Sequence, residues 1–144
     1  MKILISACLL GARCRYDGAS KEHPEVLKLA EHHTLVPVCP EQLGGLPTPR
    51  TPSERQGEFV RTREGKDVTE AYRRGAEEAL RLCRMLGCQA AVLKERSPSC
   101  GCGEIYDGTF TGTLTAGDGV TAELLKANGI PVYGESQVNG LLKR

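Results

Sequence analysis

The chain has 144 residues, 26% of them charged and 40% hydrophobic, with 19 Lys and Arg against 18 Asp and Glu for a formal charge of +1. That balance is typical of a water-soluble globular fold, and the length suits one domain spanning residues 1–144. Four Tyr, two Phe, no Trp and no basic tract leave it without the footprint of a protein that binds a nucleic-acid polymer or an anionic membrane.

Residues 2–7 form a short apolar run rich in aliphatic and β-branched side chains, which reads as a buried strand. Its end at Ala7-Cys8 superficially resembles a lipoprotein signal, but the apolar part is far shorter than the ~7–15 residues such a signal needs. No run approaches the ~20 apolar residues of a membrane-spanning helix, and a cytoplasmic protein is expected. Pro24 suits the first turn of a helix carrying Val26, Leu29 and Ala30, and residues 35–38 read as a second strand. Residues 40–66 hold Gly44, Gly45, Pro47, Pro49 and Pro52 with no sustained apolar period, so a long irregular loop covering a site is expected there.

Asp67 and Glu70 stand at capping-box spacing, after which Tyr72, Ala76, Ala79, Leu80, Cys83 and Leu86 trace one face of a helix that ends at Gly87. Residues 89–93 read as a third strand. In the Gly-rich segment 94–119 a small hairpin is expected over 109–114. Asp118 is placed as the cap of a last helix carrying Val120, Leu124 and Ala127 and closed by Asn128-Gly129. Residues 130–133 read as the final strand and 135–144 as a polar tail.

Strands alternating with helices imply right-handed βαβ units and an α/β fold with a mainly parallel sheet of four strands. Pro37 and Pro131 cannot donate to a central ladder, which places the second and last strands at the edges. The order 2-1-3-4 satisfies this and gives a flavodoxin-like or Rossmann-like open sheet with flanking helices.

Seven cysteines make up about 5% of the chain, below the ~8–10% of a disulfide scaffold, and their number is odd, so free or metal-bound thiols in a reducing compartment are expected. Cys8, Cys39 and Cys100 fall at or beyond the carboxyl ends of the first three strands. Adjacent strands are ~4.8 Å apart, so three such loops can gather three thiolates around one inorganic centre with a coordination position left open. An all-sulfur set favours an iron–sulfur cluster or zinc. Cys83 and Cys88 read as core thiols, whereas Cys14 and Cys102 lie close enough in sequence to the proposed ligands to stay open. The three histidines, His23, His32 and His33, surround a helix away from the strand ends and are not assigned as ligands.

Competing classes leave different marks. No C-x-x-C occurs, which argues against a thioredoxin-like pair and zinc-ribbon knuckles. The stretch from Cys8 to Arg15 resembles the phosphate loop of cysteine phosphatases and arsenate reductases. Those require a cysteine and an arginine separated by five residues, and here Arg13 and Arg15 fall on either side of that position. A non-catalytic iron–sulfur or zinc protein, acting as cluster carrier or redox sensor, is the main alternative to an enzyme.

Six segments are recognisable together and in order: Ser6-Ala7-Cys8-Leu9-Leu10-Gly11, Arg15-Tyr16-Asp17-Gly18, Pro37-Val38-Cys39-Pro40-Glu41, Gly44-Gly45-Leu46-Pro47-Thr48-Pro49-Arg50, Lys94-Glu95-Arg96-Ser97-Pro98-Ser99-Cys100-Gly101 and Gly117-Asp118-Gly119-Val120-Thr121. They resemble the thiouracil desulfidase (TudS) family over essentially the whole chain. The resemblance implies a [4Fe-4S] cluster held through three irons by Cys8, Cys39 and Cys100, with the fourth iron open to the sulfur of a small thiocarbonyl substrate. It implies a non-redox exchange of that sulfur for oxygen with release of sulfide. Glu41, two residues after a ligand, would activate water, and Ser97 or Ser99 would position the substrate or donate a proton to it. Read without the resemblance, Glu41 is a loop surface charge and the two serines turn the backbone; Arg50, Arg55 and Lys94 could contact a polar heterocycle or a phosphate, but a solvated surface role is the expectation for each.

Overall fold

Residues Lys2–Ser6 (β1) bury Ile3, Leu4, Ile5 and Ser6, and a strand buried on both faces must lie inside a sheet covered on both sides. The structure, a computed structural model, describes residues 1–142, with side chains through Leu141. After a 3-10 turn at Ala7–Leu10, the chain forms α1 (Pro24–Leu27), which runs on into a second 3-10 turn, and then β2 (Thr34–Val38) and α2 (Pro40–Leu43). A hairpin of β3 (Ser53–Gln56) and β4 (Phe59–Thr62) precedes the long helix α3 (Thr69–Leu86) and the strand β5 (Ala90–Leu93). A second hairpin, β6 (Glu104–Tyr106) and β7 (Leu114–Ala116), leads to α4 (Val120–Ala127), β8 (Val132–Gly134) and α5 (Asn139–Leu142).

The main sheet has the order β2-β1-β5-β8 and is parallel throughout, which is the expected 2-1-3-4 arrangement with Pro37 on an edge strand and Pro131 just before the other. Alternation along β1 and β5 divides the core into two layers. Ile3, Ile5 and Val92 meet Val26, Leu29, Val138 and Leu141 on one face, and Leu4, Ala91 and Leu93 meet Ala79, Leu80, Cys83, Ala122 and Leu125 on the other. The result is an α/β/α sandwich.

Four local expectations are corrected. Residues 40–66 are not irregular throughout, because they contain α2 and the β3–β4 hairpin. The hairpin turns at Gly57-Glu58 with Gly57 at φ 65°, and it buries Val60 and Thr62 at alternate positions, so a glycine turn followed by a period-2 pattern was legible there. The hairpin near 109–114 is real but shifted outwards, since its strands are β6 and β7 and residues 107–113 form the connection. Asp118 does not cap α4. Its Oδ1 accepts from the Gly103 amide at 2.8 Å and from Lys126 Nζ at 2.9 Å, and the N-cap position is Gly119. The segment 135–144 is no free polar tail through residue 142: it forms a 3-10 turn and α5, with Val138 and Leu141 buried in the core, while the rest of that expectation, residues 143 and 144, lies outside the described residues.

Two glycines bring α2 against α3. A Cβ on Gly75, in the middle of α3, would fall well inside the van der Waals radius of the Pro40 carbonyl oxygen, and one on Gly44 would do the same to the Ala71 carbonyl. Glycine is unfavourable inside a helix by ~1 kcal/mol relative to alanine, so this close approach is what Gly75 provides in return. Gly75→Ala should therefore destabilise the fold by about 2–3 kcal/mol despite its better helix propensity, read as a lowered urea midpoint at unchanged slope. An unchanged or raised midpoint would show that the two helices separate freely.

Candidate active site

The register of the sheet brings three loops together. Ser6 of β1 is opposite Val38 of β2, and Leu93 of β5 is opposite Gly134 of β8, so Cys8, Cys39 and the loop carrying Cys100 all leave the same edge of the sheet. They open onto a cavity of about 530 Å3 whose roof is the two hairpins. The roof is tied down by hydrogen bonds: Glu54 Oε1 accepts from the amides of Gly108 and Phe110 at 2.9 and 3.1 Å, and Gln56 Nε2 donates to the Gly108 carbonyl at 2.8 Å. The described residues with positive φ other than glycine are Arg96 (69°) and Phe110 (57°), and both line this cavity. Bulky residues rarely adopt that backbone conformation, and strain of this kind concentrates at binding sites.

Four cysteines line the cavity rather than three: Cys8, Cys14, Cys39 and Cys100. None is in a disulfide. The Cys39 thiol donates to the Cys14 carbonyl at 3.7 Å, which brings these two residues together on the cavity wall. Cys102, the other open case, turns its thiol to the Val132 carbonyl at 3.5 Å and is not on the cavity wall, while Cys83 and Cys88 contact one another at the far end of α3.

Cys100 is held by its loop. Ser97 Oγ accepts from the amides of Ser99 and Cys100, both at 3.1 Å. The first amides of α4, Val120 and Thr121, donate at 2.8 Å to the carbonyls of Pro98 and Ser99, so that helix end is fully engaged in fixing the loop. Gly119 permits the approach, since a Cβ there would strike the Ser99 backbone. Ser97 and Ser99 consequently differ. Ser97 lines the cavity and already accepts two bonds, which leaves its hydroxyl proton to donate. Ser99 is fully buried and pairs with Thr121 Oγ1 at 2.9 Å, away from the cavity lining.

Glu41 is in the first turn of α2 on the cavity wall, with its side chain only 15% exposed. Its Oε2 accepts from Tyr72 Oη at 2.9 Å and from Arg50 Nε at 3.3 Å, and forms an ion pair with Arg50 Nη2 at 3.0 Å. Arg50 is thus no solvated cation, being 7% exposed and ion-paired. Lys94 pairs with Glu135 at 3.0 Å, and Arg55 pairs with Glu123 and donates to the Asp118 carbonyl at 2.7 Å, so both are also committed within the protein. Three contributors escaped the sequence reading. Tyr72 lay within an apolar helix stripe, with nothing to show where its hydroxyl would point. Arg50 carried no local signal of burial. Ser6 was merely the polar end of a strand, yet it accepts from the Lys94 amide at 2.8 Å and lines the cavity along with Cys100.

Burial drives the Cys100 thiol up to about 12; nearby Glu41 adds to the rise, and the Ser6 and Ser99 hydroxyls oppose it. Cys39 is raised by its hydrogen bond with Cys14 and by burial. At Cys14 the hydrogen bond with Cys39 favours the thiolate, but the contact with Cys8 and burial outweigh it and the net shift is upward. Cys83 is likewise raised to about 11 by burial and by Cys88. In the metal-free protein the folded state therefore holds thiol protons that an unfolded chain releases near pH 9, and stability must fall as pH rises. The urea midpoint of metal-free protein should be flat with respect to these thiols below pH 9 and drop between about pH 9 and 12; a midpoint constant across that window would contradict the buried-thiol assignment.

The donor set fits an iron–sulfur cluster. Soft thiolates are its ligands, and four thiols open onto one cavity far larger than a single ion requires. Among the described residues, no three His, Cys, Asp or Glu side chains close around one point as ligands to a lone ion would. No helix there is long and apolar enough to cross a membrane.

Comparison with known proteins agrees with this geometry. The family described as 2-thiouracil desulfurase matches residues 3–137. A solved structure described as the [4Fe-4S]-dependent thiouracil desulfidase TudS is 51% identical, with a TM-score of 0.89 over 97% of this chain and 94% of that one. The uncharacterized protein YbbK of Bacillus subtilis is 44% identical over 150 residues, covering 97% of this chain and 99% of its own.

Proposed function

The chain belongs to the 2-thiouracil desulfurase family, and from that premise we propose that it is a [4Fe-4S]-dependent desulfidase that replaces the sulfur of a thiouracil-like thiocarbonyl with oxygen from water and releases sulfide. The observation that carries this reading is the convergence of Cys8, Cys39 and Cys100 with Glu41 and Ser97 on one cavity at the carboxyl edge of a parallel sheet. Cys8, Cys39 and Cys100 hold the cluster. With three thiolate ligands the cluster supplies a thiophilic, Lewis-acidic iron that makes the thiocarbonyl carbon electrophilic without net redox change.

The chain's own residues do the rest. Glu41 Oε1 takes a proton from water as the oxygen adds to the carbon, and the Ser97 hydroxyl, whose lone pairs are already engaged, donates to the substrate. The balance is one thiocarbonyl and one water giving one carbonyl and one hydrogen sulfide. The cavity beneath the hairpin roof, about 530 Å3, is of a size to take a small thiolated molecule. One domain over residues 1–144 carries the activity, in a reducing cytoplasm where cysteines outside disulfides persist.

Anaerobic purification tests this directly. The protein should be brown, contain iron and acid-labile sulfide in near-equal amounts, and release sulfide from 2-thiouracil or 4-thiouracil or their nucleosides. Colourless protein that binds zinc after attempted reconstitution would favour a zinc protein. A loaded cluster with no sulfide released from any of these compounds would favour a carrier or sensor.

A further inference from the structure

Glu41 is held asymmetrically, by one buried cation and one buried phenol. Its side-chain bonds converge on Oε2, from Tyr72 Oη at 2.9 Å and Arg50 Nε at 3.3 Å, with Arg50 Nη2 in ion-pair contact with the same oxygen at 3.0 Å; among the described residues Oε1 receives none. Arg50 is committed within the protein: its Nη2 also donates to the Cys14 carbonyl at 3.1 Å, and Nη1 donates to the Pro47 carbonyl at 3.1 Å and to Thr48 Oγ1 at 3.2 Å. Thr48 Oγ1 is fixed in turn by Gln42 Nε2 at 2.8 Å. Tyr72 reaches Glu41 from α3 because Gly44 and Gly75 let α2 and α3 touch at Pro40 and Ala71.

Groups from two elements converge on Oε2, and because the side chain is also anchored at its own Cα on α2, pinning that oxygen sets the direction in which Oε1 points. Resting on the desulfidase reading above, the geometry points to Arg50 and Tyr72 as positioning residues of the reaction: they immobilise Glu41 Oε2 so that Oε1 alone is presented to water in the cavity. Neither touches the reacting atoms. The Cys14 carbonyl bond further makes Arg50 a tie between the loop following β1 and the loop following β2, so the carboxylate and the thiols are held in a common frame.

Acting through Glu41 has a signature that structural support lacks. Tyr72→Phe removes one donor and little volume, and it should lower kcat about tenfold with KM within about twofold, because misorientation by less than 1 Å is enough to cost that much. Arg50→Lys, which keeps the charge but not the fork, should lose a similar factor, and Arg50→Met more. In a Glu41→Gln background, Tyr72→Phe should change kcat by less than about twofold, since there is no base left to orient.

The second readout needs no cluster. In metal-free protein, the Tyr72→Phe and Glu41→Gln urea stabilities should be non-additive. Visible absorbance per chain should be unchanged in loaded Tyr72→Phe. An equal kcat loss from Tyr72→Phe with and without Glu41, additive stabilities, or loss of the cluster in Tyr72→Phe would each overturn the positioning role. Full sulfide release by Glu41→Gln would instead overturn the reading of Glu41 as the base.

Discussion

Cys8→Ala, Cys39→Ala and Cys100→Ala should each yield folded, colourless protein with no bound iron and no sulfide release, the largest effects expected of any substitutions in the chain. Each cysteine follows a different strand, β1, β2 or β5, so none of the three can stand in for another. Cys83→Ala and Cys88→Ala provide the contrast. Their thiols lie at the far end of α3, so they should retain the full visible spectrum and lose about 1–2 kcal/mol of packing at most. Cys14→Ala decides the remaining choice. Cys14 lines the same cavity as Cys8 and Cys39 and its carbonyl accepts from the Cys39 thiol, which makes it the thiol best placed to replace one of them. The assignment of Cys8 predicts that Cys14→Ala keeps its iron; loss of iron in Cys14→Ala with retention in Cys8→Ala would move the first ligand to Cys14.

The thiols could be anticipated because sheet topology is written in patterns that sequence preserves. Two apolar runs bearing prolines had to be edge strands, and two without them had to be central, and that ordering alone brings the carboxyl ends of the first three strands together. The carboxylate's partners could not be anticipated in the same way. Tyr72 has the same helical period as its apolar neighbours, and its hydroxyl reaches Glu41 only because of a glycine contact between two helices that no period encodes. Arg50 lies in a proline-rich stretch that resembles a solvated loop, and its burial arises from acceptors contributed by Cys14, Glu41, Pro47 and Thr48, a set assembled by folding. Asp118 shows the converse error. It stands where a helix cap should be, yet Lys126 and the Gly103 amide compete successfully for its carboxylate. Local capping rules describe preferences that tertiary donors override.

Glu41→Gln should retain the cluster and bind the thiocarbonyl substrate, yet release sulfide about 10²- to 10⁴-fold more slowly, the range a general base typically contributes. Glutamine is nearly isosteric, so its amide oxygen can accept the bonds that Oε2 accepts from Tyr72 and Arg50, which places the amide nitrogen where Oε1 was. That nitrogen donates and cannot take a proton from water. Losing the negative charge leaves the buried Arg50 without its ion-pair partner, and a folding penalty of about 3 kcal/mol is expected, so the assay belongs well below the unfolding temperature with iron content checked in each sample. Glu41→Asp separates charge from reach: it keeps a carboxylate for Arg50 but is one methylene shorter, and its turnover should fall between those of the wild type and Glu41→Gln. Substrate binding followed by visible difference spectra, together with single-turnover sulfide release, distinguishes a lost chemical step from lost affinity. If Glu41→Gln binds and turns over like the wild type, water is activated elsewhere; if it loses its iron, Glu41 supports the cluster site and not the proton transfer.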